Sequence, residues 1–156
     1  MALVRILVDG YSLLHAWPDL ARGKARHSAA AREELIHILT RYQDAIGTPI
    51  TIFFDGSGAP SGTPKPESNP SLEVIYSPAG RTADDLIERS AHLFRPYGEV
   101  LVVTNDSLER DTVTTLGGYS SLCAHFIKDV QILLKEETGL LAHYNRRENE
   151  RFKRGG

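Results

Sequence analysis

Four short strand-like runs constrain this chain more than any other feature: the mostly apolar Leu3–Val8, Ile50–Phe54 and Val100–Val103, and the alternating Leu72–Tyr76. A mostly apolar run of strand length predicts a strand buried on both faces, whereas alternation, as in Leu72–Tyr76, predicts a strand with one face buried. Helical patterns separate the runs. Ser28 precedes one in which Ala31, Leu35, Ile38, Leu39, Tyr42 and Ile46 fall on one face, with Gly47 and Pro49 as stop signals. Thr82 opens a second through about Phe94, broken by Pro96-Tyr97-Gly98. A short helix is expected to run to Leu116, and a last one from about Ser121 to Glu137. Buried strands alternating with helices predict an α/β fold of three layers, α/β/α, around a mainly parallel sheet of four to five strands. In such sheets ligands bind beyond the carboxyl ends of the strands, which is where chemistry is expected.

At 156 residues the chain suits one domain, read as residues 1–138 followed by a basic tail over 139–156. Residues 56–71, rich in Pro, Gly and Ser, are read as a surface loop because a strand pattern follows at once. No apolar stretch approaches membrane-spanning length. An arginine and an aspartate interrupt the N-terminal run, which argues for a strand and against a signal peptide. The single cysteine, Cys123, excludes an internal disulfide and fits a reducing cytoplasm. It lies beside the apolar face of the last helix and is read as packing. The six histidines show no zinc-protease spacing, and no dinucleotide, P-loop or serine-hydrolase motif appears. Net charge is −2, but it is unevenly distributed: residues 144–156 carry five Lys/Arg against two Glu, and Arg22, Lys24 and Arg26 crowd an early loop. An acidic body with basic segments suits an enzyme that holds cations centrally and phosphates at its edges; solvated surface charge is the alternative.

The acidic residues carry the chemical argument. Three strands end in or beside an aspartate, at Asp9, Asp55 and Asp106, and Asp84-Asp85 opens the helix after the third strand. If the sheet is parallel, one edge gathers all of them. Crowded carboxylates repel one another, and a hard divalent cation with oxygen ligands, Mg²⁺ or Mn²⁺, relieves the repulsion. Such an ion can activate water and stabilise charge on a transferring phosphoryl group. Taken singly, most of these residues have a structural alternative: Asp55-Gly56 is a turn pair, Thr82 and Asp85 have capping-box spacing, and Asp106 can cap a helix. Asp9, closing a buried strand, has the weakest alternative.

The segments LVDGYSLLHAWP, FFDG, EVIYS, RTADDLIE and VVTNDSLER, in this order and over residues 3–137, resemble the YacP-like branch of the NYN domains in the PIN-like nuclease superfamily. That branch includes a bacterial ribosome-associated endoribonuclease acting on messenger RNA. The resemblance implies a PIN-like fold and a metal-dependent endoribonuclease of the cytoplasm. Its motifs match Asp9, Asp84 and Asp106 to metal ligands. They put Asp85 in the adjacent acidic position and Asp55 close to the site, and leave Glu109 and Asp111 both open as a further acidic residue. Ser12 departs from the asparagine usual after the Asp-Gly-Tyr segment.

The implied partner is single-stranded RNA, with the ribosome a further candidate, no membrane, and the oligomeric state open. Its backbone would be held by Arg22, Lys24, Arg26, Arg81, Arg146, Arg147, Lys153 and Arg154, with Tyr11 and Ser12 also binding RNA beside the site. Tyr11 and Trp17 are both candidates to stack on bases, with packing beneath the first loop the slightly favoured alternative for Trp17. An RNA- or ribosome-binding module without cleavage and a metal-dependent phosphatase are the competing readings.

Overall fold

The computed structural model describes residues 3–20, 22–25, 28–56 and 71–136. Five strands, β1 (Leu3–Asp9), β2 (Ile50–Phe54), β3 (Leu72–Tyr76), β4 (Glu99–Val103) and β5 (Tyr119–Ser121), form one sheet in the order β3-β2-β1-β4-β5. Every pairing is parallel; β1 lies at the centre, with Val8 opposite both Ile52 and Val103. Helices α1 (Gly10–Ala16), α2 (Ala29–Ile46), α3 (Ala83–Phe94) and α4 (Ser107–Thr115) follow in the crossovers, and α5 spans 123–136.

The alternation of side chains along a strand divides the core in two. Ile6, Val8, Ile50, Ile52 and Phe54 pack with residues of α1, α2 and α5, such as Leu13, Leu35 and Phe126. Leu7, Phe53, Val100 and Val102 pack with Ala83, Ile87 and Ala91 of α3 and Val113 of α4. The expected three layers follow. Asp9 shares the parity of Leu7 and therefore faces the α3/α4 layer. The chain winds outward from β1 through β2 to β3, then returns to β4 on the other side of β1. The winding direction thus reverses between β1 and β4, the place where open parallel sheets form a crevice.

Two elements were not expected. α1 begins directly after β1, and its first residue, Gly10, lies against the Phe54 ring: a Cβ there would sit 2.3 Å from that ring. β5 has the sequence Tyr-Ser-Ser, with no apolar run, and exists through its pairing with β4. The long helix α2 is as its pattern predicts, capped by the Ser28 hydroxyl on the Ala31 N–H and closed by Gly47 in the left-handed region at φ 76°. Trp17 is 5% exposed and belongs to the core, as does Cys123.

Candidate active site

Asp9 closes β1 and caps α1. Its Oδ1 accepts the Ser12 N–H at 3.3 Å and its Oδ2 the Thr104 hydroxyl at 3.4 Å. Asp84 lies in the first turn of α3 and Glu109 in the first turn of α4. Each of the three offers a carboxylate oxygen, and those oxygens all lie within 4.8 Å of one another. Glu109 is 2% exposed, and neither of its oxygens meets a hydrogen-bond donor among the described residues. An ionised carboxylate in that position is costly unless something positive joins it.

The electrostatics agree. Burial pushes the Asp9 carboxyl up to about 6; the Ser12 and Thr104 hydrogen bonds oppose the rise, and the charges of Asp84 and Asp106 add to it. Burial pushes Glu109 to about 9, with Asp84 and then Asp9 acting in the same direction and the nearby Thr104 hydroxyl opposing them. Oxygen-only donors, close spacing and an orphaned buried carboxylate fit a hard divalent cation.

The other sequence candidates have different surroundings. Asp106 is exposed and caps α4, accepting the N–H groups of Leu108 at 3.0 Å and Glu109 at 3.5 Å. Its charge reaches Asp9, but it is not among the three grouped carboxylates. Asp85 forms the capping box with Thr82. Asp55 accepts the Ser77 hydroxyl at 3.2 Å, beyond β2. Asp111 is exposed, so of the two residues left open it is Glu109 that the fold brings to Asp9 and Asp84. A local signal for this exists: Glu109 and Val113 are one turn apart and are the buried residues of α4, which puts a carboxylate on an otherwise apolar stripe.

Tyr11 is half-buried, with its ring 5.0 Å from that of Phe54 and its hydroxyl accepting from Arg32 at 3.3 Å. Arg32 is buried in α2 with its guanidinium 5.9 Å from the Tyr76 ring centroid; sequence reasoning passed it over. Arg110 was also missed: it is half-buried and donates to the Thr104 carbonyl at 3.3 Å. Of the basic candidates, Arg22 pairs with Asp19 at 2.9 Å and Lys24 pairs with Glu34, while Arg81 is exposed. Arg26, Arg146, Arg147, Lys153 and Arg154 lie outside the described residues, as does the boundary expected at 138/139. A groove of about 390 Å³ along α2, lined by Lys24, Glu34, His37 and Arg41 among others, includes none of the acidic group. No helix among the described residues is long and apolar enough to cross a membrane.

Comparison with known proteins gives a consistent result. The family model for the YacP-like NYN domain matches residues 6–154. The uncharacterized protein YacP of Bacillus subtilis (strain 168) is 30% identical over 129 residues, covering 82% of this chain and 75% of its own length. The crystal structure of Rae1 (YacP) from Bacillus subtilis is similar with a TM-score of 0.77 at 26% identity, over 95% of this chain and 84% of that one. A mutant form of the same protein gives a TM-score of 0.72 at 27% identity, over 86% and 79% of the two chains.

Proposed function

The chain belongs to the YacP-like NYN domain family, and on that premise we propose that it is a metal-dependent endoribonuclease cutting single-stranded RNA. The observation that carries this reading is the grouping of Asp9, Asp84 and Glu109 within 4.8 Å, with Glu109 buried and forming no hydrogen bond among the described residues. These three residues would hold Mg²⁺ or Mn²⁺. Bound there, the ion supplies Lewis-acid chemistry, making water a better nucleophile and neutralising charge that builds on the phosphoryl oxygens.

The chain's own residues supply the positioning. Thr104 and the Ser12 N–H fix the two oxygens of Asp9. The capping box of Thr82 and Asp85 sets the start of α3 and so the place of Asp84. Asp106, matched by resemblance to a ligand, fixes the first turn of α4 and so the place of Glu109, and adds its charge to the field at Asp9. Burial around Asp9 and Glu109 lowers the local dielectric, which strengthens their hold on a cation.

RNA approaches along the cationic residues. Arg81, one residue before the cap of α3, and the basic stretch over 146–154 are assigned to the phosphate backbone, with Tyr11 beside the site for a base. The pairs of Arg22 with Asp19 and of Lys24 with Glu34 reduce what the 22–26 loop offers. We assign the protein to the cytoplasm and the ribosome as a place where its RNA substrate is presented.

The test is cleavage of a labelled single-stranded RNA in Mg²⁺, Mn²⁺ or EDTA, with Asp9→Asn and Glu109→Gln beside the unmodified chain. Cleavage that needs the metal and is lost in both variants supports the reading. Undiminished cleavage in EDTA or in Asp9→Asn overturns it. Binding of RNA with no cleavage in any metal, on or off the ribosome, replaces it with a docking module, and turnover of a small phosphate ester alone replaces it with a phosphatase.

A further inference from the structure

One small side chain ties together three turns at the carboxyl edge of the sheet. Ser12, in the first turn of α1, accepts the N–H of Asn105 on its hydroxyl oxygen at 3.0 Å. Asn105 lies in the turn between β4 and α4, and its Oδ1 accepts the N–H of Cys123, where α5 begins, at 2.9 Å. The Cys123 thiol donates back to the Ser12 hydroxyl oxygen at 3.6 Å. The three bonds close a ring across sequence separations of 93, 18 and 111 residues. The Asn105 N–H and the Cys123 S–H together occupy both acceptor positions of the serine oxygen.

The turns in this ring carry the acidic group. The Ser12 N–H donates to Asp9 Oδ1. Thr104, adjacent to Asn105, donates to Asp9 Oδ2 and accepts the Asp106 N–H at 3.2 Å. Asp106 caps α4, which presents Glu109. The ring therefore links the turn that carries Asp9 to the turn that launches Glu109, at a point where the two have no covalent neighbour in common.

We propose that Ser12 is a positioning residue of the metal centre, an inference that rests on the reading of Asp9, Asp84 and Glu109 given above. Its hydroxyl sets the spacing between Asp9 and Glu109 by clasping the β1–α1 turn to the β4–α4 turn, so cation affinity depends on an oxygen that does not touch the cation. Interactions one layer out from a metal hold ligands in register, and their loss costs affinity more than it costs the fold.

Calorimetric titration of the full chain with Mn²⁺ tests this, with thermal melts in EDTA alongside. Ser12→Ala is expected to weaken Mn²⁺ binding roughly tenfold, and Ser12→Thr, which restores the hydroxyl, to recover it to within about threefold. Asn105→Ala changes an exposed residue and removes the Cys123 leg of the ring; it is expected to weaken binding less than Ser12→Ala, and it carries the test should Ser12→Ala fail to fold. Unchanged Mn²⁺ affinity in both alanine variants, whatever their melting temperatures, overturns the proposal, as does a threonine variant as weak as the alanine one. Asp9→Asn separates the two readings. If it binds Mn²⁺ as tightly as the unmodified chain, the metal centre itself is misassigned. If it loses binding while Ser12→Ala keeps it, only the positioning role fails.

Discussion

The carboxyl edge of the sheet holds its carboxylates under two different conditions. Beyond β2, Asp55 accepts the Ser77 hydroxyl, and that hydroxyl accepts the Gly56 N–H at 2.9 Å. Donors there meet acceptors, and the polar groups are occupied in holding a turn. Beyond β1 and β4, where the winding reverses, Asp9, Asp84 and Glu109 converge, and Glu109 forms no hydrogen bond among the described residues. The first corner satisfies its polar groups, whereas the second crowds buried carboxylates together. Folded chains are stable by small margins, so a buried carboxylate without a partner marks a place where stability gives way to chemistry.

The largest expected effect breaks or upholds that contrast directly. Asp9→Asn and Glu109→Gln should each lower RNA cleavage roughly a hundredfold or more, while Ser77→Ala in the first corner should leave it within about threefold. Equal losses at the two corners, read in the same single-turnover assay, would remove the distinction.

The pH dependence of stability sharpens it. Asp9 and Glu109 both titrate above their ordinary range in the folded chain, at about 6 and about 9. Between pH 4 and those values the unfolded chain has released protons that the folded chain still holds, so their contribution to stability is full at low pH and is lost as pH rises. Melts in EDTA should therefore show a lower melting temperature at pH 8 than at pH 5, and Mn²⁺ should restore more at pH 8. A melting temperature that climbs from pH 5 to pH 8 in EDTA would contradict the proposed strain.

The same reasoning gives opposite signs to two substitutions. Glu109→Gln removes the cost of protonating a buried acid and places an amide donor among carboxylates, so in EDTA at pH 8 it should stabilise the chain by about 2 kcal/mol. Ser77→Ala should destabilise it by about 1 kcal/mol. Chemical denaturation of both variants measures the difference, and a destabilised Glu109→Gln would show that the corner is not strained.

A smaller effect separates capping from ligation at Asp106. Asparagine caps a helix as well as aspartate, so Asp106→Asn should keep stability while Asp106→Ala loses about 1 kcal/mol. If Asp106→Asn abolishes Mn²⁺ binding in calorimetry, the residue is a ligand and the acidic group is larger than three. The smallest effect is expected at Lys24→Ala, which breaks a partly exposed ion pair with Glu34 and should shift stability by under about 1 kcal/mol.

Much of the fold was legible because its signals are local. Mostly apolar runs marked β1, β2 and β4, alternation marked β3, a 3.6-residue stripe marked α2 and α3, and Ser28, Gly47 and Thr82 marked their ends. Where the signal was weak the reading failed: α1 is seven residues long and begins with glycine, and β5 is three residues with no apolar pattern. Both depend on neighbours distant in sequence, Phe54 for the close approach at Gly10 and β4 for the pairing of β5.

The acidic edge divides in the same way. The sequence alone determined that Asp9 ends a buried strand and that Asp84 lies in the first turn of a helix, because strand ends and helix starts follow from a few adjacent residues. It also carried the motifs of the family. Only the tertiary structure decided that Glu109 turns inward while Asp111 stays in solvent, that Asp106 spends its side chain on a helix cap, that Lys24 meets Glu34, and that Ser12, Asn105 and Cys123 close a ring. The reason is physical: hydrogen bonds and charge act over a few ångströms of space, and the groups that met here are brought together by strand order, which no local pattern encodes.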